Sequence, residues 1–364
     1  MWVKHDDYYK KMIEKKDIRI VHVEASSRCN SHCPMCSRYT GLGELQPGLV
    51  EGDLTLDNFY KLFTPQFTSQ LEHVYFSGVY GDPCLNRNLP EMVLYLVKNG
   101  CHSVSIDTNG GYRDEEWWQG LAHPQVLINW AIDGTDDETL GKYRIGVVYN
   151  KVIKNLKAYV NAGGRAQWNF IVFKHNEHQV DEAKGICKFL GIDFRVKVTQ
   201  KFRGRKDYKV MKDGVQIDLL EPPVQEKYRH VNIGTETHIP VSYFKFSLEN
   251  YTHLNANTIT CKSQERQEIY LGSNGLLVPC CYLGTYIHDS PGSYQFIREF
   301  DLNEFNLTND SVDNIINKMK HISDRWDKSI ENGNLITCLY TCGNKENTTL
   351  YYNDKLQKES IRKQ

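Results

Sequence analysis

The sequence predicts an α/β fold in which six parallel β-strands alternate with α-helices between residues 18 and 200. Short runs of β-branched and aromatic residues recur along this region, and each ends in a turn rich in Gly, Asn, Asp or Thr. Amphipathic segments with helical spacing separate these runs. Strands that are separated by helices pair in parallel through right-handed crossovers. A smaller region that is rich in cysteine follows.

The strands are predicted from alternation and from the turns that close them. Residues 18–25 read Ile-Arg-Ile-Val-His-Val-Glu-Ala, an alternating β-branched run typical of a strand. Later runs end in Asp107-Thr108-Asn109-Gly110 and in Asp133-Gly134. The six predicted strands cover residues 18–25, 73–78, 102–107, 127–132, 166–173 and 194–199.

The helices are predicted from their caps and stops. Thr55 and Asp57 offer capping groups for a helix that begins at residue 53. Asn99-Gly100 is expected to end the next helix, because these residues readily adopt the left-handed conformation found at helix C-termini. Gly163-Gly164 is expected to end a later helix. The predicted helices cover residues 53–62, 90–98, 150–161 and 180–190, with a further surface helix over residues 1–16.

Three cysteines, Cys29, Cys33 and Cys36, directly follow the first predicted strand. An α/β barrel places its chemistry at the carboxyl ends of its strands. Three thiols on one short loop can face a common centre, and the next cysteine, Cys84, lies in a different element. A [4Fe-4S] cluster normally takes four thiolates, so three leave one iron open. Half of a zinc site is the alternative, although zinc sites usually come as two cysteine pairs.

Composition narrows the class of protein. A chain of 364 residues is long enough for one large α/β domain and a smaller one. Its net charge of -1 gives no argument for nucleic acid or an anionic membrane as a partner. The start has no apolar signal region, and no run reaches the ~18 apolar residues of a membrane span. We therefore expect a cytoplasmic protein with no membrane partner, in which thiols stay reduced and bind metal.

The C-x3-C-x2-C spacing of Cys29, Cys33 and Cys36 resembles that of the radical S-adenosylmethionine (SAM) enzymes. The count and order of strands resemble the partial (β/α)6 barrel of that family. The resemblance implies a [4Fe-4S] cluster whose open iron binds the amino and carboxylate groups of SAM. It also implies reductive cleavage of SAM to a 5′-deoxyadenosyl radical, with an electron from a reductant such as flavodoxin or ferredoxin.

The same resemblance implies a set of cofactor-binding residues. The family turn Gly-Gly-Glu-Pro after the second strand corresponds to a longer stretch here, with Asp in place of Glu. Arg144 suits a carboxylate of SAM because its guanidinium pairs bidentately with such a group. Residue 131 is Ala, so the Ser contact to SAM found in some members is missing. The residues carried over are Met35, Gly78, Gly81, Asp82, Pro83, Thr108, Asn109, Asp133 and Arg144.

A second set of cysteines lies beyond residue 241. Residues 269–271 and 276–278 are predicted to form a β-hairpin around Ser273-Asn274-Gly275, which brings its flanking cysteines together. The pattern resembles the twitch and SPASM auxiliary domains of radical SAM enzymes and implies a second [4Fe-4S] cluster. The expected ligands are Cys261, Cys280, Cys338 and Cys342, with Cys281 as the alternative to Cys280.

The remaining cysteines and the nature of the second site leave alternatives open. A zinc ribbon is the alternative to the auxiliary cluster, since spacing alone does not separate the two. Cys101 and Cys187 are expected to be buried neutral thiols, and Cys84, beside the SAM turn, is ambiguous.

The resemblance implies an enzyme that abstracts a hydrogen atom from its substrate, while the auxiliary cluster assists an oxidation. We expect a peptide or protein substrate. The alternatives are a small molecule or nucleoside, and a non-catalytic metal-binding module. Polar residues at strand ends are the candidates for substrate contact. They are Asn169, His175, Asn176, His178, Arg195 and Lys197, with exposed loop positions as the alternative for the two histidines.

The predicted architecture is therefore a partial (β/α)6 barrel with a small C-terminal domain, formed by a β-hairpin and helix, that binds a cluster. Residues 1–17 form an N-terminal helical extension and residues 18–200 the radical SAM barrel. Residues 201–240 connect it to the auxiliary domain at 241–343, and residues 344–364 form a charged tail.

Overall fold

The structure is a computed structural model. It describes residues 13–199, 201–202, 205–229, 259–284, 295–296, 299–328 and 332–343. The predicted tail at 344–364 lies outside the described residues, as do residues 1–12 of the predicted N-terminal helix and residues 230–258.

One sheet of eight strands organises the molecule. Its first six strands are neighbours in chain order and pair in parallel, as predicted. They are β1 (Ile20–Val23), β2 (His73–Phe76), β3 (Ser103–Thr108), β4 (Val126–Ala131), β5 (Arg165–Ile171) and β6 (Asp193–Lys197). This order fits a partial barrel.

Helices connect these strands and cover one face of the sheet. They are α1 (Leu56–Leu62), α2 (Pro65–Ser69), α3 (Leu89–Lys98), α4 (Glu115–Leu121), α5 (Asp137–Tyr143), α6 (Tyr149–Asn161) and α7 (Val180–Leu190). The hydroxyl of Thr55 caps α1 by accepting from Asn58 N at 3.2 Å, as its position predicted. The short helices α2, α4 and α5 were not predicted, because each has too few turns to show a clear period.

The two faces of the sheet differ in chemistry. Successive residues of a strand point to opposite faces. On the helix-facing side, Val21, Val74, Ile106 and Trp168 are buried in the main apolar core. We call the opposite side the inner face; on it lie the polar residues His22, Tyr75, Asp107, Asn129, Gln167 and Asn169. The inner face therefore offers polar side chains that can line a site.

The predicted C-terminal hairpin joins the same sheet. Strand β9 (Glu268–Leu271) pairs in parallel with β1, and β10 (Leu277–Val278) pairs antiparallel with β9. The hairpin itself was predicted, but its pairing with β1 was not. The second cysteine set is therefore tied to the barrel through β9.

The predicted connector over residues 201–240 contains a β-hairpin, which was not expected because residues 201–212 had been interpreted as a loop or connector. Strands β7 (Tyr208–Lys212) and β8 (Val215–Leu220) form an antiparallel hairpin. Its two-residue turn, Asp213-Gly214, has φ of 49° and 80°, the positive values of a type I′ turn. Asp-Gly between alternating residues is a hairpin signal in the sequence that the basic composition of this stretch obscured.

Five short helices complete the described residues: α8 (Lys262–Glu265), α9 (Cys281–Gly284), α10 (Val312–Lys318), α11 (Lys320–Ser323) and α12 (Ile336–Cys342). Among all helices of the described ranges, none combines the length and apolar character needed to cross a bilayer.

Candidate metal centre and its surroundings

Cys29, Cys33 and Cys36 lie on the loop that follows β1, and we call this segment the cluster loop (residues 29–36). A turn brings Cys33 and Cys36 together, since Cys36 N donates to Cys33 O at 3.0 Å. Ser31 supports two of the sulfurs: its N–H donates to Cys29 Sγ at 3.4 Å, and its hydroxyl lies 3.2 Å from Cys33 Sγ. All three cysteines are free thiols.

Burial dominates the electrostatics of the thiols on the cluster loop. Burial, together with Asp82 and the neighbouring thiols, raises the pKa of Cys29 to about 12. Burial and Cys33 raise the pKa of Cys36 to about 11. Such thiols stay neutral alone and become thiolates when a metal centre compensates their charge.

The three thiols of the cluster loop suit a [4Fe-4S] cluster. A cubic cluster takes one thiolate at each iron, so its ligands surround a larger body. The polar side chains that approach the sulfurs are donors: Asn109 Nδ2 lies 3.9 Å from Cys29 Sγ, and Arg144 Nη1 lies 3.6 Å from Cys33 Sγ.

The β7–β8 hairpin covers the cluster loop. This contact was not predicted from the sequence. Tyr208 OH donates to Pro34 O, between the second and third cysteines, at 2.9 Å. Val210 and Leu220 pack in one buried apolar group with Cys33 and Met35. Met35, predicted to contact SAM, is 5% exposed in that group. The hairpin therefore shields the loop from water on this side.

Asp82 binds two other predicted cofactor-binding residues, Thr108 and Asn109. Its carboxylate accepts from Thr108 Oγ1 at 2.9 Å, from Asn109 N at 2.8 Å and from Cys84 N at 3.0 Å. Burial raises the pKa of Asp82. Since these donors occupy its carboxylate, Asp82 fixes the turn after β2 to the end of β3.

The glycines of the turn after β2 allow a close approach of backbone to backbone. A Cβ on Gly78 would lie 1.7 Å from Gly81 O, and a Cβ on Gly81 would lie 2.0 Å from Ser26 O. No larger residue fits either position without a backbone shift. The turn therefore packs directly on the chain that enters the cluster loop. Pro83 is buried at the start of the short helical turn that follows.

Asn109 links the end of β3 to the cluster loop. Its side-chain amide donates to Asn30 Oδ1 at 2.9 Å, beside Cys29. Asn30 was not predicted, because an Asn next to a cysteine carries no distinctive sequence signal.

Arg144 and Asp133 form an ion pair beside the second cysteine. Arg144 Nε donates to Asp133 Oδ2 at 2.7 Å, and Asp133 is fully buried. Burial opposes the charge of Arg144, but Asp133 and Cys33 outweigh it and raise the pKa of the guanidinium. Asp133 Oδ1 also accepts from Ile171 N at 2.6 Å. Asp133 thus positions Arg144, whose Nη1 reaches toward Cys33 Sγ.

Glu24 is a buried carboxyl that sequence reasoning missed. It accepts from Tyr80 N at 2.7 Å, Gly81 N at 3.3 Å and Tyr270 OH at 2.8 Å. Burial raises its pKa. The available sequence signal for this buried carboxyl was a Glu near the end of a run of β-branched residues. Glu24 joins β1, the turn after β2 and the C-terminal hairpin.

The four predicted auxiliary cysteines lie near enough to one another to interact electrostatically. The thiols of Cys261 and Cys342 share a hydrogen bond, which lowers the pKa of Cys342 to about 7. Burial first, and then the thiol of Cys280, raises the pKa of Cys338. The adjacent Cys281 has Glu268 as its strongest charged neighbour; burial and this carboxylate raise the pKa of Cys281 to about 12. This placement favours Cys280 over Cys281 as a member of the set.

The other cysteines lie in the core. Cys101 and Cys187 are buried, as predicted, and burial raises their pKa to about 11 and about 12. Cys84 is also fully buried, and burial and Asp82 raise its pKa.

The predicted substrate contacts lie in different environments. Asn169 is on the inner face of β5, where its Oδ1 accepts from Gln167 Nε2 at 2.8 Å. Asn176 is fully buried and braces its loop by donating to Asp133 O at 2.8 Å, so its predicted contact with substrate does not agree with the structure. His175 stacks on Phe173.

The two histidines are not directed into the inner face. Burial and then Lys142 lower the pKa of His175 to about 4. His178 is exposed on a short helical turn. The two cations, Arg195 and Lys197, lie on the inner face of β6, half-buried.

Known proteins share this sequence pattern and fold. Residues 23–189 match the family model described as the Radical SAM superfamily. The chain is 27% identical over 303 residues to the tungsten-containing aldehyde ferredoxin oxidoreductase cofactor-modifying protein of Pyrococcus furiosus, covering 80% of this chain and 78% of the relative. It is 24% identical over 287 residues to a probable GTP 3′,8-cyclase of Sulfurisphaera tokodaii, covering 76% and 83%.

One solved structure supports the fold, and a second is given for comparison. The structure of histidine-tagged anSMEcpe with bound AdoMet superimposes with a TM-score of 0.50 and 17% identity, covering 94% of this chain and 91% of the other. Streptococcus suis SuiB bound to S-adenosylmethionine gives a TM-score of 0.47 and 15% identity, and this chain spans 60% of its length. From the match of the family model, and from a fold that agrees with it, we conclude that this chain contains a radical SAM domain, over residues 23–189.

Proposed function

We propose that the chain is an enzyme that cleaves SAM reductively at a [4Fe-4S] cluster held by Cys29, Cys33 and Cys36. The observation that carries this proposal is the convergence on the cluster loop of side chains from two neighbouring strand ends. Asn109, after β3, approaches Cys29 Sγ, and Arg144, after β4 and α5, approaches Cys33 Sγ. This is the carboxyl edge of the sheet, where barrel enzymes place their chemistry.

The chain's own residues hold and orient the reacting groups. When bound, the cluster and SAM supply a 5′-deoxyadenosyl radical that takes a hydrogen atom from the substrate. The turn at residues 78–83 offers backbone groups for the amino end of SAM, held in place by Glu24 and Asp82. Asp133 accepts from Nε of Arg144 and Cys33 Sγ lies 3.6 Å from its Nη1, so within the described residues Nη2 is the nitrogen left for the SAM carboxylate. The β7–β8 hairpin keeps water from the loop.

We propose a second [4Fe-4S] cluster on Cys261, Cys280, Cys338 and Cys342. Four thiolates leave no iron open, which suits electron transfer better than ligation of a substrate. The link through β9 supports a role in the same reaction, because β9 pairs directly with β1, the strand that precedes the cluster loop. This cluster would accept the electron released when the substrate radical is oxidised, and a reductant such as flavodoxin or ferredoxin would supply the electron for SAM.

The substrate that we expected from the sequence is a peptide or protein. A second candidate is a cofactor or nucleotide, and the names of the two curated relatives favour it: one modifies a cofactor and the other is named for GTP. These relatives align over more than three quarters of this chain, whereas the fold comparison carries no information on substrate.

The test is anaerobic reconstitution followed by incubation with dithionite and SAM. We expect formation of 5′-deoxyadenosine by the wild-type protein and none by the Cys29→Ala/Cys33→Ala/Cys36→Ala variant. Cys187→Ala is the matched control, because this thiol is buried on α7 outside both cysteine groups. Wild-type protein that carries iron and sulfide but forms no 5′-deoxyadenosine would overturn the proposal.

A further inference from the structure

Two cations, Arg195 and Lys197, lie on the inner face of β6. Within the described ranges, no acidic side chain forms an ion pair with either of them. Phe194 and Val196 pack toward the helix-facing core, so Arg195 and Lys197 point to the inner face. Neither side chain makes a hydrogen bond or an ion pair within the described ranges. Both are half-buried. Partly buried cations without a counterion cost free energy, which a bound anion recovers.

The nearest carboxylates do not serve as their partners. Asp133 is held by Arg144 at 2.7 Å. Asp107, on β3, accepts from Asn129 Nδ2 at 2.7 Å and acts on Lys197 only at longer range. Burial, opposed by Asp107, lowers the pKa of Lys197, and Arg195 and Arg144 add to this lowering. Positive charge therefore exceeds negative charge at this end of the inner face.

A row of side-chain amides lies beside the cations on the inner face. Gln167 Nε2 donates to Asn129 Oδ1 at 3.3 Å and to Asn169 Oδ1 at 2.8 Å. These bonds occupy the oxygens of Asn129 and Asn169. The amide nitrogen of the Asn169 side chain makes no hydrogen bond within the described part of the chain. Asn169 is the register partner of Arg195 across the β5–β6 pair, so this nitrogen lies beside the cations.

We propose that Arg195, Lys197 and the side-chain amide of Asn169 bind an oxyanion of the substrate, either a phosphate or a carboxylate. This inference rests on the proposed function, because it places the substrate in the same inner face as SAM. It narrows the substrate class to acids: a phosphorylated small molecule or nucleotide, or a peptide with a carboxylate near the reacting carbon. The site lies at the carboxyl edge of the sheet, since Lys197 ends β6.

The oxyanion site uses different residues from those assigned to SAM. The carboxylate of SAM has Arg144, which is fixed by Asp133 and lies beside Cys33. Substitution of Arg195 and Lys197 therefore has different expected effects on SAM and on the substrate anion. SAM affinity and 5′-deoxyadenosine formation without substrate should stay within about two-fold of wild type.

The experiment is calorimetric titration of the reconstituted full-length protein, in the presence of SAM, with inorganic pyrophosphate and with succinate. These probes represent the phosphate and the carboxylate source. We expect one of them to bind wild type at least ten-fold more tightly than Arg195→Gln/Lys197→Gln. Lys174→Gln is the matched control, because Lys174 is an exposed lysine that pairs with Glu221 at 3.0 Å. Stronger binding of pyrophosphate assigns a phosphorylated substrate, and stronger binding of succinate a carboxylate.

Three results would overturn the oxyanion site. Wild type could bind neither probe, wild type and the double variant could bind them equally, or the double variant could lose SAM affinity ten-fold. If the double variant does not fold, Lys197→Gln and Lys197→Arg give the same test, because only the latter keeps the charge. Absence of 5′-deoxyadenosine in the wild-type protein would instead contradict the proposed function, independently of probe binding.

Discussion

The hydroxyl of Tyr270 donates a 2.8 Å hydrogen bond to the carboxylate of Glu24, and both side chains are buried. Tyr270 belongs to β9, near the second cysteine group, and Glu24 follows β1 at the entrance to the cluster loop. The remaining bonds of Glu24 hold the turn after β2. One buried contact therefore connects the C-terminal region to the turn that we assign to SAM.

Tyr270→Phe should destabilise the protein by about 1–3 kcal/mol, because it leaves the buried Glu24 carboxylate without one of its donors. Urea denaturation measures this change. Tyr112→Phe serves as the control, since its side chain is 46% exposed. Equal stability of the two variants would show that the hydrogen bond of Tyr270 contributes nothing.

Glu24 should make the free energy of unfolding fall as pH rises above 4.5, the ordinary pKa of a glutamate side chain. Burial raises the pKa of Glu24 above its ordinary value of 4.5, so the folded protein binds a proton more readily than the unfolded chain. Stability from this group is present at low pH and is lost as pH passes through the raised pKa. Glu24→Gln should flatten the dependence, measured by denaturation at each pH. An unchanged slope in the variant would contradict this assignment.

The strands and the two cysteine groups could be predicted from the sequence. The contacts that hold them in place could not. Alternation in residues 18–25 and the turn glycines report on strands directly, because local periodicity follows from burial. The roles of Glu24 and Asp82 depend on which turns meet in space. Their partners Tyr270 and Asn109 lie 246 and 27 residues away. The Asp213-Gly214 dipeptide is a local sequence signal for the hairpin. No local sequence feature predicts that this hairpin contacts Pro34.

Arg144→Gln should cost about 3 kcal/mol in stability, because it leaves Asp133 buried without its cation. Adding Asp133→Asn should recover part of this loss, with a coupling energy above about 1 kcal/mol in the double-mutant cycle. SAM affinity should fall in both Arg144 variants, since the carboxylate contact is lost in each. Additive stability effects would mean that the two residues do not act as a pair.

Gly81→Ala should lower stability by more than about 1 kcal/mol and reduce the iron bound per chain. The added Cβ would lie 2.0 Å from Ser26 O, so the chain entering the cluster loop must shift. Gly141→Ala, in α5, has no heavy atom within 4 Å of the added Cβ and should raise stability slightly. Iron content and urea denaturation of both variants check this. Equal iron content in both variants would show that the turn does not support the loop.

Electron paramagnetic resonance of the reduced protein, with and without SAM, tests the central claim most directly. The measurement uses a variant in which Cys261, Cys280, Cys338 and Cys342 are replaced by Ala, so that only the cluster loop can bind iron. We predict about four iron per chain and a [4Fe-4S] signal that changes when SAM is added, because one iron lacks a protein thiolate. A signal that SAM leaves unchanged, or a zinc ion in place of iron, would contradict the account.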